Sequence, residues 1–163
     1  MKLWCVNFRD FEKLAKANEW NKAVPSDTAI ISIINSPDIR IDCETHVCKD
    51  ATNVLNLDFD DCSPLTYKVD ATAKTHELEN GDTIYFFTPE MAKKSIDFIK
   101  KNKNKNIYIH CNAGISRSQA FVRFFLNNIH DHNWETNPNN PCLYPNGFVY
   151  QRLMEAYRNE QNK

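Results

Sequence analysis

The chain has 163 residues, 42% of them hydrophobic, and a formal net charge of −1, which suits one sizeable core and is too short for two. Interspersed Lys, Arg, Asp and Glu leave no general basic face, which excludes a protein that grips nucleic acid through one; any anion chemistry must be local. No apolar run approaches the roughly 20 residues of a membrane span, and the opening MKLWCVNFRDFEKL turns to charge too early for a secretory signal. The expectation is one cytoplasmic domain over residues 1–163.

The segment KLWCVNF reads as a short strand, and RDFEKLAKANEW carries Phe11, Leu14 and Ala15 at helical spacing. TAIISIIN is a continuous β-branched run, the pattern of a strand buried on both faces. NVLNLDF alternates Val54, Asn56 and Asp58 with Leu55, Leu57 and Phe59, a half-buried strand that runs into Asp60 and Asp61. The polar stretch from Cys62 to Asp82 has no assignable period. In TPEMAKKSIDFIKKNKNKN, Thr88 can cap a helix with Pro89 at its first position and Ala92, Ile96 and Ile99 on one face. NIYIHC is then a strand, SRSQAFVRFFLNNI a helix burying Phe121, Phe124 and Phe125, and GFVYQRLMEAYRNEQ a helix with Val149, Leu153 and Tyr157 aligned. Together these predict an α/β domain with a central, mostly parallel sheet flanked by helices.

Six cysteines would suit a disulfide framework in a secreted domain, but nothing else supports secretion, and reduced thiols are the expectation. CETHVC brings Cys43, His46 and Cys48 together, with Cys62 as a possible fourth ligand. Structural zinc sites have tighter paired spacings, so no metal is expected. The many asparagines and lysines read as compositional bias without chemical meaning.

IYIHCNAGISRSQAF places one of only three glycines between a cysteine and an arginine. A strand that ends in a tight loop and enters a helix aims backbone N–H groups and the positive helix terminus at one point, where an oxyanion fits. Gly114 can take positive φ and lets a phosphate approach the main chain. Cys111 lies at the floor, among dipoles of the kind that lower a thiol pKa to roughly 3.5–7.5. Arg117, in the first helical turn, can grip two phosphate oxygens in a fork. Ser118 can donate to the sulfur, and His110 orders the loop. The phosphate cradle is therefore Asn112, Ala113, Gly114, Ile115, Ser116 and Arg117.

HCNAGISRS resembles the signature His-Cys-x-x-Gly-x-x-Arg-Ser/Thr of the cysteine-dependent protein tyrosine phosphatases, in surroundings similar to their compact, dual-specificity-like branch. The resemblance implies a phosphatase fold and a two-step hydrolysis without cofactor or metal. Cys111 attacks phosphorus, Arg117 and the loop amides stabilise the transferring group, and water opens the phosphocysteine. It also implies an aspartic acid on a separate loop that protonates the leaving oxygen. Asp82 lies nearest the family's usual distance before the cysteine, but LNLDFDDCSP is the better context, so Asp61 is preferred, then Asp60, with an insertion between Cys62 and Phe86.

The implied substrate is a phosphotyrosine protein or peptide, its leaving group near pKa 10 being easier to expel than an alkoxide, and the implied state is a monomer with no nucleic-acid or membrane partner. The loop lacks the added lysines expected of a polyphosphoinositide phosphatase. The alternatives are a phosphoprotein-binding pseudo-phosphatase, an RNA 5′-phosphatase, for which no basic patch is visible, and a rhodanese-like sulfur carrier, which Arg117 and Ser118 fit poorly.

Overall fold

The computed structural model describes residues 1–40, 45–129 and 133–162. Its centre is a parallel sheet of five strands: β1 (Lys2–Asn7), β2 (Thr28–Ile34), β3 (Val54–Asp58), β6 (Asn106–Cys111) and β7 (Glu135–Thr136), in the order β3-β2-β6-β1-β7. A separate antiparallel hairpin is formed by β4 (Thr75–Glu77) and β5 (Thr83–Tyr85). Four helices complete the fold: α1 (Phe8–Ala17), α2 (Pro89–Asn102), α3 (Arg117–Asn128) and α4 (Gly147–Gln161).

Side chains alternate across a strand, so each strand feeds two cores. Leu3, Cys5, Ala29, Ile31, Ile33, Leu57, Ile107 and Ile109 pack with residues of α2, α3 and α4 on one face. On the other face Val6, Ile30 and Val54 pack with Phe11 and Ala15 of α1 and with Trp20. Every residue of β2 is buried because both of its faces are covered. Phe121, Phe124 and Phe125 of α3 are completely buried, each a contribution of about 1.5–3 kcal/mol over exposure.

The helix starts follow from their caps. Asp10 N–H donates to Asn7 Oδ1 at 2.9 Å and Met91 N–H to Thr88 Oγ1 at 3.2 Å, so Asn7 and Thr88 each satisfy a first-turn amide that the helix cannot. Pro89 occupies a position where its missing N–H costs nothing.

The strand between β2 and β1 is β6, the latest of the three in sequence. The connection that leaves β1 runs to β2 and the one that leaves its neighbour β6 runs to β7, in opposite directions along the sheet, and the crevice of an open parallel sheet lies beyond the carboxyl ends of strands at such a switch. β6 ends there at Cys111. The polar stretch without a readable period contains a 3-10 turn at Pro64–Tyr67 and the β4–β5 hairpin. Asp60 anchors this segment to the sheet: buried, it accepts from Ser36 N–H through Oδ1 and from Tyr85 N–H through Oδ2, both at 2.9 Å.

Candidate active site

The loop between β6 and α3 is held by its carbonyls. Asn112 C=O accepts from Phe8 N–H at 3.0 Å, and Ser116 C=O from Ala120 N–H and Asn146 N–H, both at 3.1 Å. Gly114 C=O accepts from Asn140 Nδ2 at 2.8 Å and from Gln119 Nε2 at 3.2 Å. A trans peptide sets its C=O and N–H in opposite directions. With alternate carbonyls of the loop tied into the protein, the following amides, those of Ala113, Ile115 and Arg117, are turned away from these anchors.

Gly114 permits this arrangement. Its φ is +71°, and a Cβ there would lie 2.7 Å from Asn7 N and 2.8 Å from the Val6 carbonyl carbon. The loop therefore rests directly on the end of β1, where no side chain fits. Ser116 stands at the N-cap of α3 without a capping side-chain bond. Its hydroxyl donates instead to Asp61 Oδ1 at 2.7 Å, which leaves the first amides of α3 available to an anion.

A hollow of about 330 Å³ opens over this loop, lined by Cys111, Asn112, Ala113, Ser116 and Arg117, and closed on its other side by Asn35, Ile39, Asp60 and Asp61. Cys111 is only 2% exposed, with Sγ 3.1 Å from Ser118 Oγ. Ser118 Oγ also lies 3.1 Å from Cys5 Sγ. Burial pushes the Cys5 thiol up to about 12, so Cys5 keeps its hydrogen and can give it to Ser118, whose own hydrogen is then free for Cys111. Cys5 can also direct that hydrogen to Gly114 C=O, 3.3 Å away.

Arg117 is 3% exposed. One guanidinium N–H donates to Phe59 C=O at 2.6 Å, and the group lies 5.9 Å from the Phe59 ring. Its Nε has no hydrogen-bond partner among the described residues. A buried guanidinium with an unused donor beside a walled hollow is arranged for an anion that brings its own oxygens.

Of the three candidate acids, Asp61 and Asp60 line the hollow and Asp82 does not. Both carboxylate oxygens of Asp60 are occupied by backbone N–H groups. Asp61 is exposed and held over the loop by Ser116 and by Asn146 Nδ2, 2.7 Å away. Asp82 is engaged with Asn80 at the turn of the β4–β5 hairpin. Ile115, although in the loop, is 53% exposed and does not line the hollow.

His110 does not bond the loop with its ring. Its Nε2 lies 2.7 Å from Ser32 Oγ, and the ring stacks on Phe11 with centroids 4.0 Å apart. Ser32 Oγ continues to His46 Nδ1 at 2.7 Å, and His46 Nε2 to Asp58 Oδ1 at 3.3 Å. Burial, with the nearby charges of His46 and Arg117, pushes His110 down to about 3, so the ring is neutral at working pH. Of the cysteine–histidine cluster CETHVC, Cys43 lies outside the described residues. Among the described residues no group of three His, Cys, Asp or Glu side chains could hold a metal ion.

Sequence reasoning missed Cys5, Gln119, Asn140 and Asn146. The asparagine-rich segment after α3 is not chemically empty: Asn140 fastens Gly114, and Asn146 fastens both Ser116 and Asp61. Gln119 joins the two regions, its Oε1 accepting from Leu143 N–H at 2.9 Å and its Nε2 donating to Asn140 Oδ1 at 2.7 Å. The one local signal was Asn146 itself, an N-cap residue type immediately before the helical stretch GFVYQRLMEA.

Neither protein-family models, curated proteins nor solved structures give a match to this chain. The α/β class rests on the sheet and helices themselves, and the chemistry on the side chains around the hollow.

Proposed function

We propose that the protein is a cysteine-dependent phosphatase that hydrolyses phosphotyrosine in a protein or peptide through a phosphocysteine intermediate. The observation that carries this reading is the buried, incompletely bonded Arg117 beside Cys111, at a loop whose alternate carbonyls, those of Asn112, Gly114 and Ser116, are tied into the protein. In the mechanism, the Cys111 thiolate attacks phosphorus, and the loop amides and Arg117 hold the equatorial oxygens. The bond to the leaving oxygen breaks as Asp61 gives it a proton. Ser118 then donates to the Cys111 sulfur as water, deprotonated by Asp61, releases phosphate.

No helix among the described residues is long and apolar enough to cross a membrane, and we place the working enzyme in the cytoplasm, as a monomer. The reading is tested by hydrolysis of an aryl phosphate with chelator present. Wild type is expected to turn over, with vanadate competing, and Cys111→Ser to be inactive but folded. Phosphotyrosine peptides should outrun phosphoserine peptides. Activity retained in Cys111→Ser, or an absolute need for a divalent ion, would reject the mechanism, whereas tight phosphopeptide binding without turnover would make the protein a binding module. Preference for RNA 5′ ends would reject the substrate.

A further inference from the structure

Asn146 stands at the start of α4, 85 residues after Asp61, and all its polar groups are engaged. Its N–H donates to Ser116 C=O at 3.1 Å and its C=O accepts from Tyr150 N–H at 3.0 Å. Its Oδ1 accepts from Val149 N–H at 3.0 Å, capping the helix, and its Nδ2 donates to Asp61 Oδ1 at 2.7 Å. The amide orientation is fixed by chemistry: turned over, it would set Nδ2 against an N–H and Oδ1 against a carboxylate.

We propose that Asn146 is a positioning residue that selects which oxygen of Asp61 carries the catalytic proton. This rests on Asp61 being the general acid. An amide nitrogen can only donate, and the carbonyl-type oxygen of a neutral acid accepts better than its hydroxyl oxygen, so the oxygen facing Asn146 and Ser116 is favoured as the acceptor and the proton is directed to the other. Ser116 alone would not decide the matter, because a hydroxyl can donate or accept. With Oδ1 held by Asn146, the proton of the neutral acid resides on Oδ2. As the phosphorus–oxygen bond breaks, its electron pair stays with the leaving oxygen, and the Oδ2 proton moves to it. The resulting carboxylate takes a proton from the water that attacks the phosphocysteine. The same amide caps α4, so the helix that closes the domain sets the aim of the acid.

The experiment separates aim from capping. Asn146→Ser keeps a side-chain oxygen suited to a helix N-cap but is too short to reach Asp61. Its kcat/KM on phenyl phosphate should fall about tenfold, while kcat/KM on an aryl phosphate with a strongly acidic leaving group changes less than about twofold, because only poor leaving groups need the proton in the step that releases them. Asn146→Asp also keeps the cap but sets a second carboxylate beside Asp61, so the basic limb of the pH–rate profile should move up by about one unit. An equal loss on both substrates for Asn146→Ser, or an unmoved basic limb for Asn146→Asp, would overturn the proposal. Asp61→Ala distinguishes the two levels. If it steepens the leaving-group dependence and Asn146→Ser does not, Asp61 is the acid and only the role of Asn146 fails. If it leaves that dependence unchanged, the assignment of Asp61 fails and the proposal with it.

Discussion

At Arg117, geometry matters more than charge. The side chain is buried, with one N–H on Phe59 C=O and its Nε unpartnered among the described residues. Lysine would supply the charge without the planar fork. Arg117→Lys should lose well over tenfold in kcat/KM, since a charge-assisted hydrogen bond is worth about 1.5–3 kcal/mol; steady-state kinetics on an aryl phosphate check this. Gly114→Ala meets two obstacles, the positive φ and backbone atoms of Asn7 and Val6 under 3 Å from the new Cβ. The strain alone is about 1–3 kcal/mol, so both Tm and turnover should fall. His110 gives a pH signature. An unfolded histidine takes a proton below about 6.5, whereas this one is held neutral down to about 3. Unfolding therefore takes up a proton in that window, and stability should decline as pH falls through it. Asp58, kept below the usual carboxylate range by its bond to His46, adds to the loss at the acid end. Thermal melts from pH 7 to pH 4 should show Tm falling, and His110→Gln should reduce the slope.

At the scale of elements, the two neighbouring acids after β3 do different work. Asp60 joins the segment that follows β2, through Ser36, to β5, through Tyr85. Asp60→Ala would strand two backbone N–H groups and should cost roughly 2–6 kcal/mol, about 1–3 for each orphaned donor, seen as a lower Tm. Asp61→Ala should leave Tm nearly unchanged and cut kcat about 10²–10⁴-fold with little change in KM. Asp82→Ala, in a hairpin turn away from the hollow, should do neither. The difference between Asp60 and Asp61 was only partly legible in FDDCSP. The strand end placed both near the loop, but which one turns inward depends on Ser36 and Tyr85, each about 25 residues away. Similarly, α2, β6, α3 and α4 were readable because each carries several turns or alternations of apolar residues. β4 and β5 have three residues each and β4 buries none fully, so their pairing leaves no period to read.

Across the whole molecule, the contiguous part of the site, Cys111 to Ser118, was open to sequence reasoning because one stretch of chain carries nucleophile, turn and cation. Its supports were not, because Phe8 acts through its main-chain N–H, Asn140 through its side chain and Asn146 through both, all from distant positions, and an asparagine that fastens a loop looks the same in sequence as one in a solvated turn.

Gly114 touches the end of β1, and Asn140 and Asn146 secure the loop from beyond α3, so the site has a birth order during synthesis. The first strand is waiting when Cys111 leaves the ribosome, but the last clamp, Asn146, is 35 residues later, a delay of roughly 2–7 s at about 5–20 residues per second. Until then the nucleophile exists without a finished cradle or an aimed acid. Chains that stop short of residue 146 should therefore carry the whole signature sequence and remain inert.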